Sequence, residues 1–150
     1  MVQYAEQHGI KLACFGTVAG GWLSDKWLGT SAPPSRAALG RATVSARMYY
    51  GSLQAWSGGD WGLFQDLLLA LRAVADKHGT TIANVAVAWV LRQLGPSGGW
   101  AILGVRDAGH LEEHAALRSV SLDAADSARV EAVLARGRAP VGDIWDRERS

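Results

Sequence analysis

The sequence predicts an α/β fold in which two short parallel strands are accompanied by a larger number of helices. Two apolar runs, over 10–15 and 100–103, lack the polar alternation of a half-exposed strand, which is typical of parallel strands buried on both faces. The segments around them place hydrophobic residues at the i, i+3, i+4 spacing of helices. Because two strands do not make a stable sheet with two buried faces, the chain is predicted to be part of a larger α/β domain.

In the first third of the chain, the predicted helices and strands are short and are separated by glycines. Gly9 is expected to end the first helix, and the sequence GTVAGG forms a turn after the first strand. In order, we expect a helix over 2–8, a strand over 10–15, the turn over 16–21, a helical turn over 23–28, a region that is helical at most over 35–50 and a loop over 54–61.

The remainder contains the strongest helical patterns. Asp60 is expected to cap a helix over 61–78 that ends at Gly79, and Thr80 or Thr81 to cap the next one. That next helix is apolar around most of its surface and is therefore expected to be covered on more than one face. We then expect a stop at Gly95 and Pro96, the second strand, a helix over 108–117, and a last helix that begins near Ser121 or Asp123 and stops at Gly137.

Composition excludes several classes of protein. The net charge is +1, with 15 basic and 14 acidic residues well mixed, so there is no electrostatic argument for binding nucleic acid or an anionic membrane. No apolar run reaches the roughly 20 residues of a membrane span. The N-terminal residues lack the pattern of a signal peptide. The single cysteine, Cys14, cannot form an internal disulfide and is expected to be an inert core thiol. We therefore expect a cytoplasmic protein.

The chain is rich in tryptophan, with 7 in 150 residues. Three lie in apolar patterns and are expected in the core: Trp61, Trp89 and Trp100. Four lie in loop-like contexts, where a ligand or a missing neighbouring segment could cover them: Trp22, Trp27, Trp56 and Trp145. A carbohydrate-binding surface built from the first three of these four rests on nothing beyond their number.

Both predicted strands are followed by glycine-containing turns, with Gly16, Gly20 and Gly21 after the first and Gly104 after the second. The carboxyl ends of parallel strands form the ligand-binding edge of α/β folds, and glycines let backbone N–H groups approach a phosphate. Arg106, two residues beyond Gly104, could hold a phosphate with two hydrogen bonds. GTVAGG is neither a GxGxxG nor a Walker motif, and turn glycines without a ligand are common, so the spacing alone favours turns that bind no ligand.

Few residues are candidates for catalysis. His8 and His78 lie at helix ends, where a cationic side chain caps the last carbonyls. His110 and His114 are one helical turn apart, which permits a metal pair, but no third ligand is evident and we predict no metal site. No serine lies in a GxSxG motif.

Four segments, in order and with compatible spacing, resemble the aldo-keto reductase family. HGIKLACFGTVAGGWLSDKWLG is similar to the family's seventh strand and the loop after it, and TTIANVAVAWVLRQ to its seventh barrel helix. AILGVRDAGHLEEHAAL is similar to its eighth strand and cofactor helix, and SLDAADSARVEAVL to its last helix. The resemblance implies that residues 1–150 are the C-terminal portion of a (β/α)8 TIM barrel that is incomplete in this chain.

The resemblance also implies an NADP(H) site and an aldehyde or ketone substrate. The segment along the cofactor pyrophosphate would be Gly16, Thr17 and Val18, with Gly20 and Gly21 close by. The segment around the adenosine 2′-phosphate would be Gly104, Val105, Arg106 and His110, and the adenine contacts would be Glu113 and His114. Arg106 then favours NADPH over NADH. The chain departs from the family at Gly16 and Thr17, where Ser-Pro is usual. It also departs at His110, where Arg or Gln is frequent, and at His114, where Asn is usual.

The family's catalytic Asp, Tyr, Lys and His belong to the first half of the barrel, and no residue of this chain matches them. We therefore expect an NADP-dependent oxidoreductase by family and an inactive product if the chain stands alone. The alternative is a non-catalytic nucleotide-binding or interaction module that completes its sheet with another chain or associates with itself through its open strands.

Overall fold

The computed structural model describes residues 1–105, 108–139 and 141–142 and contains two strands and seven α-helices within them. The strands are β1 (Leu12–Cys14) and β2 (Gly99–Ala101). The helices are α1 (Val2–Gln7), α2 (Arg36–Gly40), α3 (Val44–Ser57), α4 (Trp61–His78), α5 (Ile82–Gln93), α6 (Ala108–Ala116) and α7 (Ala124–Leu134). Short 3-10 turns cover Ala19–Gly21, Asp25–Trp27, Gly95–Ser97 and Leu117–Ser119.

The two strands pair in parallel, as the sequence predicts. Leu12 lies opposite Gly99 and Cys14 opposite Ala101, and the N–H of Ile102 extends the ladder by donating to the Cys14 carbonyl at 2.7 Å. A side chain at Gly99 would overlap the carbonyl oxygen of Leu12, so glycine at this position permits the close approach of the two backbones. Parallel pairing brings the carboxyl ends of both strands to one edge of the sheet.

Side-chain caps fix where the main helices begin. Asp60 accepts hydrogen bonds from the N–H groups of Gly62 and Leu63, and Thr81 accepts one from the N–H of Asn84. Asp123 forms a reciprocal capping box with Asp126 at the start of α7. The predicted bounds of α4 are confirmed at both ends. Of the predicted alternatives, the cap of α5 is Thr81 and the cap of α7 is Asp123.

The core lies around α4 and α5, whose apolar faces meet under the loop that follows β1. Its fully buried members include Phe64, Leu68, Leu71, Val74, Ile82 and Val85. Helix α5 is covered on several sides, as predicted, because it contacts α4, α6 and β2. No helix in the described part of the chain combines the length and the apolar character that a bilayer span requires.

The predicted loop over 54–61 is wrong for its first half. Helix α3 begins after Thr43, whose hydroxyl accepts from the N–H of Ala46, and continues to Ser57, where Gly58 ends it in a left-handed conformation. Its Leu53 is buried in the core and its Trp56 packs against the core from one side. The helix therefore continues past its predicted end because tertiary packing outweighs the weak helix propensity of its serines and of Gly51.

The prediction that both sheet faces are buried is also wrong within the described residues. Leu12 and Cys14 are half-buried, whereas Ala13 between them is exposed. Trp100, predicted to lie in the core, is 62% exposed, and Phe15 and Ile102 are exposed with it. One face of the sheet packs towards the helices, and the other, which we call the open face (Ala13, Phe15, Trp100 and Ile102), lacks a cover among these residues.

Candidate functional site

The candidate site is formed by two turns that leave the same edge of the sheet. The first turn, over 16–21, follows β1, and the second, over 104–105, follows β2. Because β1 and β2 are adjacent and parallel, about 4.8 Å apart, the two turns begin side by side. The structure thus brings together the two glycine-containing segments that are separated by more than 80 residues in the sequence.

The first turn carries unused hydrogen-bond capacity. Its internal hydrogen bonds use the N–H groups of Ala19 and Gly21, whereas those of Thr17, Val18 and Gly20 donate to no acceptor in the described residues. The side chain of Thr17 is buried, and its hydroxyl oxygen has no partner there either. Unpaired donors beside a strand end are what an anion such as a pyrophosphate requires.

The glycines of the turns have two different environments. Gly16 (φ +70°) and Gly20 (φ +63°) lie against α3, which occupies the space that a side chain would need. Gly21 and Gly104 face open space, with no atom of the described residues within 4 Å of the place that a Cβ would take. Packing against α3 therefore accounts for Gly16 and Gly20, whereas the described residues leave the approach to the two turns open at Gly21 and Gly104.

The second turn is linked to helix α6. The Nε2 atom of His114 lies 3.4 Å from the carbonyl oxygen of Gly104, and its buried Nδ1 atom has no partner among the described residues. Val105 is half exposed. Arg106, the predicted ligand of the 2′-phosphate, lies outside the described residues. His110 and Glu113 lie on α6, with the side chain of Glu113 exposed.

Helix α6 is held by Asn84, a residue that the sequence analysis missed. Asn84 is buried in α5 and donates through its side-chain amide to the carbonyl oxygen of Glu113 at 2.8 Å and to the hydroxyl of Thr80 at 3.0 Å. The sequence signal for this contact is a polar residue within the apolar helix α5, because a buried side-chain amide needs hydrogen-bond partners. Asn84 therefore fixes the helix on which three of the candidate cofactor contacts lie.

The four histidines divide into three groups. His8 lies 2.9 Å from the carbonyl oxygen of Tyr4 and stacks on its ring, in agreement with a capping role. His110 and His114 stack with ring centroids 6.3 Å apart. In the ranges that the structure describes, no group of three His, Cys, Asp or Glu residues could hold a metal ion. His78 pairs with Asp126 instead of only capping α4.

Asp126 is the most perturbed ionisable group in the described residues. It accepts from Lys77 and His78, both at 2.8 Å, and from the N–H of Asp123 at 3.1 Å. Burial alone would raise the pKa of this carboxyl, but the hydrogen bonds from Lys77 and His78 outweigh burial and hold its pKa well below the usual range. The cluster joins the end of α4 to the start of α7.

The tryptophans in loop-like contexts are covered by the chain itself. Trp22 is 2% exposed, stacks on Trp27 and donates to the carbonyl oxygen of Ala46 at 2.8 Å. Trp27 and Trp56 are half-buried against the core, and Trp145 lies outside the described residues. A carbohydrate-binding surface built from Trp22, Trp27 and Trp56 is therefore wrong. Trp61 and Trp89 pack in or against the core, as predicted. Cys14 is a half-buried free thiol in β1.

Comparison with known proteins gives one family and two similar proteins. The model of the aldo/keto reductase family matches residues 1–135. Flagellar radial spoke protein 5 of Chlamydomonas reinhardtii is 37% identical over 84 residues, which are 55% of this chain and 15% of that protein. A glycerol dehydrogenase from Gluconobacter oxydans superposes with a TM-score of 0.69 at 20% identity, over 96% of this chain and 40% of the dehydrogenase. The chain thus spans less than half the length of either protein, and the structural likeness shows the fold.

Proposed function

The chain belongs to the aldo/keto reductase family, and we propose that it is the NADP(H)-binding, C-terminal portion of an oxidoreductase that reduces aldehydes or ketones. The observation that carries the proposal is the parallel pairing of β1 with β2, which brings both glycine-containing turns to one edge. The unpaired N–H groups of Thr17 and Val18 and the open approach at Gly21 and Gly104 fit a phosphate-bearing cofactor.

Each part of the site would hold a different part of the cofactor. Gly16, Thr17 and Val18, with Gly20 and Gly21, would lie along the pyrophosphate. Gly104, Val105, Arg106 and His110 would surround the 2′-phosphate, and Glu113 and His114 would contact the adenine. Anchoring of α6 by Asn84 supports this division, because it ties the adenine segment to the same helix bundle as the first turn.

The chain would contribute binding and orientation to the reaction. When bound, NADPH supplies the hydride that reduces a carbonyl carbon. The proton for the carbonyl oxygen requires a positioned acid, and none of Tyr4, Tyr49 and Tyr50 matches the catalytic position of the family. Residues 1–150 would therefore hold the cofactor while residues outside this range carry out the proton transfer.

Substitution of Arg106 tests the cofactor assignment. Arg106→Ala should weaken NADPH by about 10- to 100-fold, the usual value of a charge-assisted hydrogen bond to phosphate, and leave NADH nearly unchanged because NADH lacks the 2′-phosphate. The matched control is Arg36→Ala, which removes an exposed arginine from α2. Dissociation constants measured by calorimetry would decide, and equal losses for the two cofactors would reject the assignment.

The open face supports the proposal that this chain is part of a longer barrel. Phe15, Trp100 and Ile102 are each more than half exposed on one side of the sheet, and a barrel of this kind takes about 250 residues. The remaining strands of such a barrel would cover this face. An immunoblot of source-cell extract with an antibody to residues 121–150 should show a band at least about twice the 15.9 kDa of this chain.

The second candidate function is a nucleotide-binding module that completes its sheet with another chain. It is favoured by the outer edges of β1 and β2, since within the described residues each strand pairs only with the other. A single immunoblot band near 15.9 kDa would select this candidate. Size-exclusion chromatography of that product would then show whether it associates with itself.

A further inference from the structure

One face of helix α3 lies directly on the first turn. The backbone carbonyl of Ser45 lies 2.9 Å from the place that a Cβ at Gly20 would take, and the Trp22 indole donates to the carbonyl of Ala46 at 2.8 Å. One helical turn later, the Tyr49 ring reaches both Gly16 and Gly20. Three positions of one helix face therefore contact Gly16 at the start of the turn, Gly20 near its end and Trp22 directly after it.

The contact between Tyr49 and Gly16 is the most restrictive of these. A Cβ at Gly16 would overlap the hydroxyl oxygen of Tyr49 and lie 2.5 Å from its ring carbon Cζ. Gly16 also has φ +70°, in the left-handed region that residues with a side chain rarely adopt. The tip of the Tyr49 ring thus occupies the side-chain space of Gly16, and the backbone of Gly16 cannot shift towards α3.

We propose that Tyr49 is a positioning residue that holds the first turn in the conformation that binds the cofactor pyrophosphate. This inference rests on the proposed function. Thr17 and Val18, whose N–H groups are unpaired, directly follow Gly16, so the direction of these donors depends on the backbone of Gly16. Fixing them before the cofactor arrives avoids the conformational entropy that an unrestrained turn would lose on binding.

The long segment between β1 and α4 supports the first turn through α3. Thr43 caps α3, and Leu53 anchors it in the core, so the helix is rigid at both ends of the face that carries Tyr49. The Trp22 ring stacks on Trp27 and contacts Tyr50, which fixes the far end of the turn to the same helix. Helix α3, which lies well after the turn in the sequence, is therefore the support on which the turn rests.

The test compares Tyr49→Leu and Tyr49→Phe with Tyr4→Leu as the matched control, in the protein at the length at which cells produce it. Tyr4 is exposed on α1, before the amino end of β1. Dissociation constants are measured for NADPH and for adenosine 2′-monophosphate, which lacks the pyrophosphate. Leucine removes the ring tip from Gly16 while filling part of the space, and phenylalanine retains the ring.

We expect Tyr49→Leu to weaken NADPH about tenfold and adenosine 2′-monophosphate less than twofold, and Tyr49→Phe to restore NADPH binding to within twofold of the parent. If Tyr49→Leu weakens the binding of both ligands to the same extent, the effect is a general structural loss and the inference is wrong. An unchanged dissociation constant for NADPH in Tyr49→Leu would also overturn it. Failure of the parent protein to bind NADPH would instead overturn the proposed function, and the inference with it.

Discussion

One buried carboxylate, that of Asp126, links α4 to α7 by hydrogen bonds. Its side chain is 6% exposed, and it accepts hydrogen bonds from Lys77, His78 and the backbone N–H of Asp123. Replacement by asparagine keeps the shape but turns one of the two acceptor oxygens into an NH2 group. That NH2 group would point its own hydrogens at a hydrogen-bond donor, and the negative charge that the Lys77 ammonium approaches would be lost.

The expected cost follows from these contacts. Loss of a hydrogen bond to a charged group costs about 1.5–3 kcal/mol, and the loss at Lys77 is reduced because its side chain is half exposed. We therefore expect Asp126→Asn to lower the free energy of unfolding by about 2 kcal/mol at pH 7. For a domain of about this size, that corresponds to a decrease in Tm of about 4–8 °C.

The assay is thermal unfolding followed by circular dichroism, with Asp66→Asn as the matched control. Asp66 also joins α4 to the α7 side of the molecule, through an ion pair with Arg136 at 2.8 Å, but both side chains are about half exposed. Its loss should cost less than about 1 kcal/mol. If the two variants melt at the same temperature, burial is not what gives the Asp126 cluster its strength.

The pH dependence provides a second check on the same variant. The folded state holds the pKa of Asp126 below its unfolded value of about 3.9, so its stabilisation is complete above that pH. The stabilisation is lost as the pH falls towards the folded pKa. The difference in Tm between the parent and Asp126→Asn should thus be largest near pH 7 and smaller at pH 3. A difference that grows on acidification would contradict the assigned direction of the shift.

Two further substitutions test the sheet. Gly99→Ala should reduce the free energy of unfolding by about 3 kcal/mol or more, because its Cβ would overlap the Leu12 carbonyl. The control is Gly104→Ala, whose Cβ would meet no described atom within 4 Å. Similar melting curves for the two variants would show that this overlap does not destabilise the sheet. Trp100→Lys should destabilise the protein at its natural length by about 3 kcal/mol if the open face is covered there. A Tm unchanged within about 1 °C would show that this face remains exposed.

The sequence predicts the elements whose signals are local. Helix α4 combines a capping Asp60, a regular apolar stripe and a terminal Gly79, and both of its ends agree with the prediction. The parallel pairing of β1 and β2 also follows from their apolar character and the helices between them. The signal for α4 lies within the helix and at its ends, and the signal for the parallel pairing lies in the two strands and in the helices that connect them.

The elements that the sequence does not predict depend on distant partners. The second half of α3, beyond the predicted helical region, contains Gly51 and several weak helix formers, and it is stable because Leu53 and Trp56 reach the core. Trp22 lies in a turn, and only the approach of α3 buries it. Trp100 differs in the opposite direction. Its apolar neighbours in the sequence predict that it is buried, but no described residue covers it and it is exposed.

The candidate site shows the same division between local and distant causes. Glycines at strand ends are visible in the sequence, but their spacing cannot tell a glycine required by a ligand from one required by packing. The structure separates them, because α3 fills the side-chain space of Gly16 and Gly20 and leaves Gly21 and Gly104 open. Alanine at Gly16 should therefore impair folding and cofactor binding together, through the clash with Tyr49, whereas alanine at Gly104 can impair only the binding of a ligand that approaches its backbone.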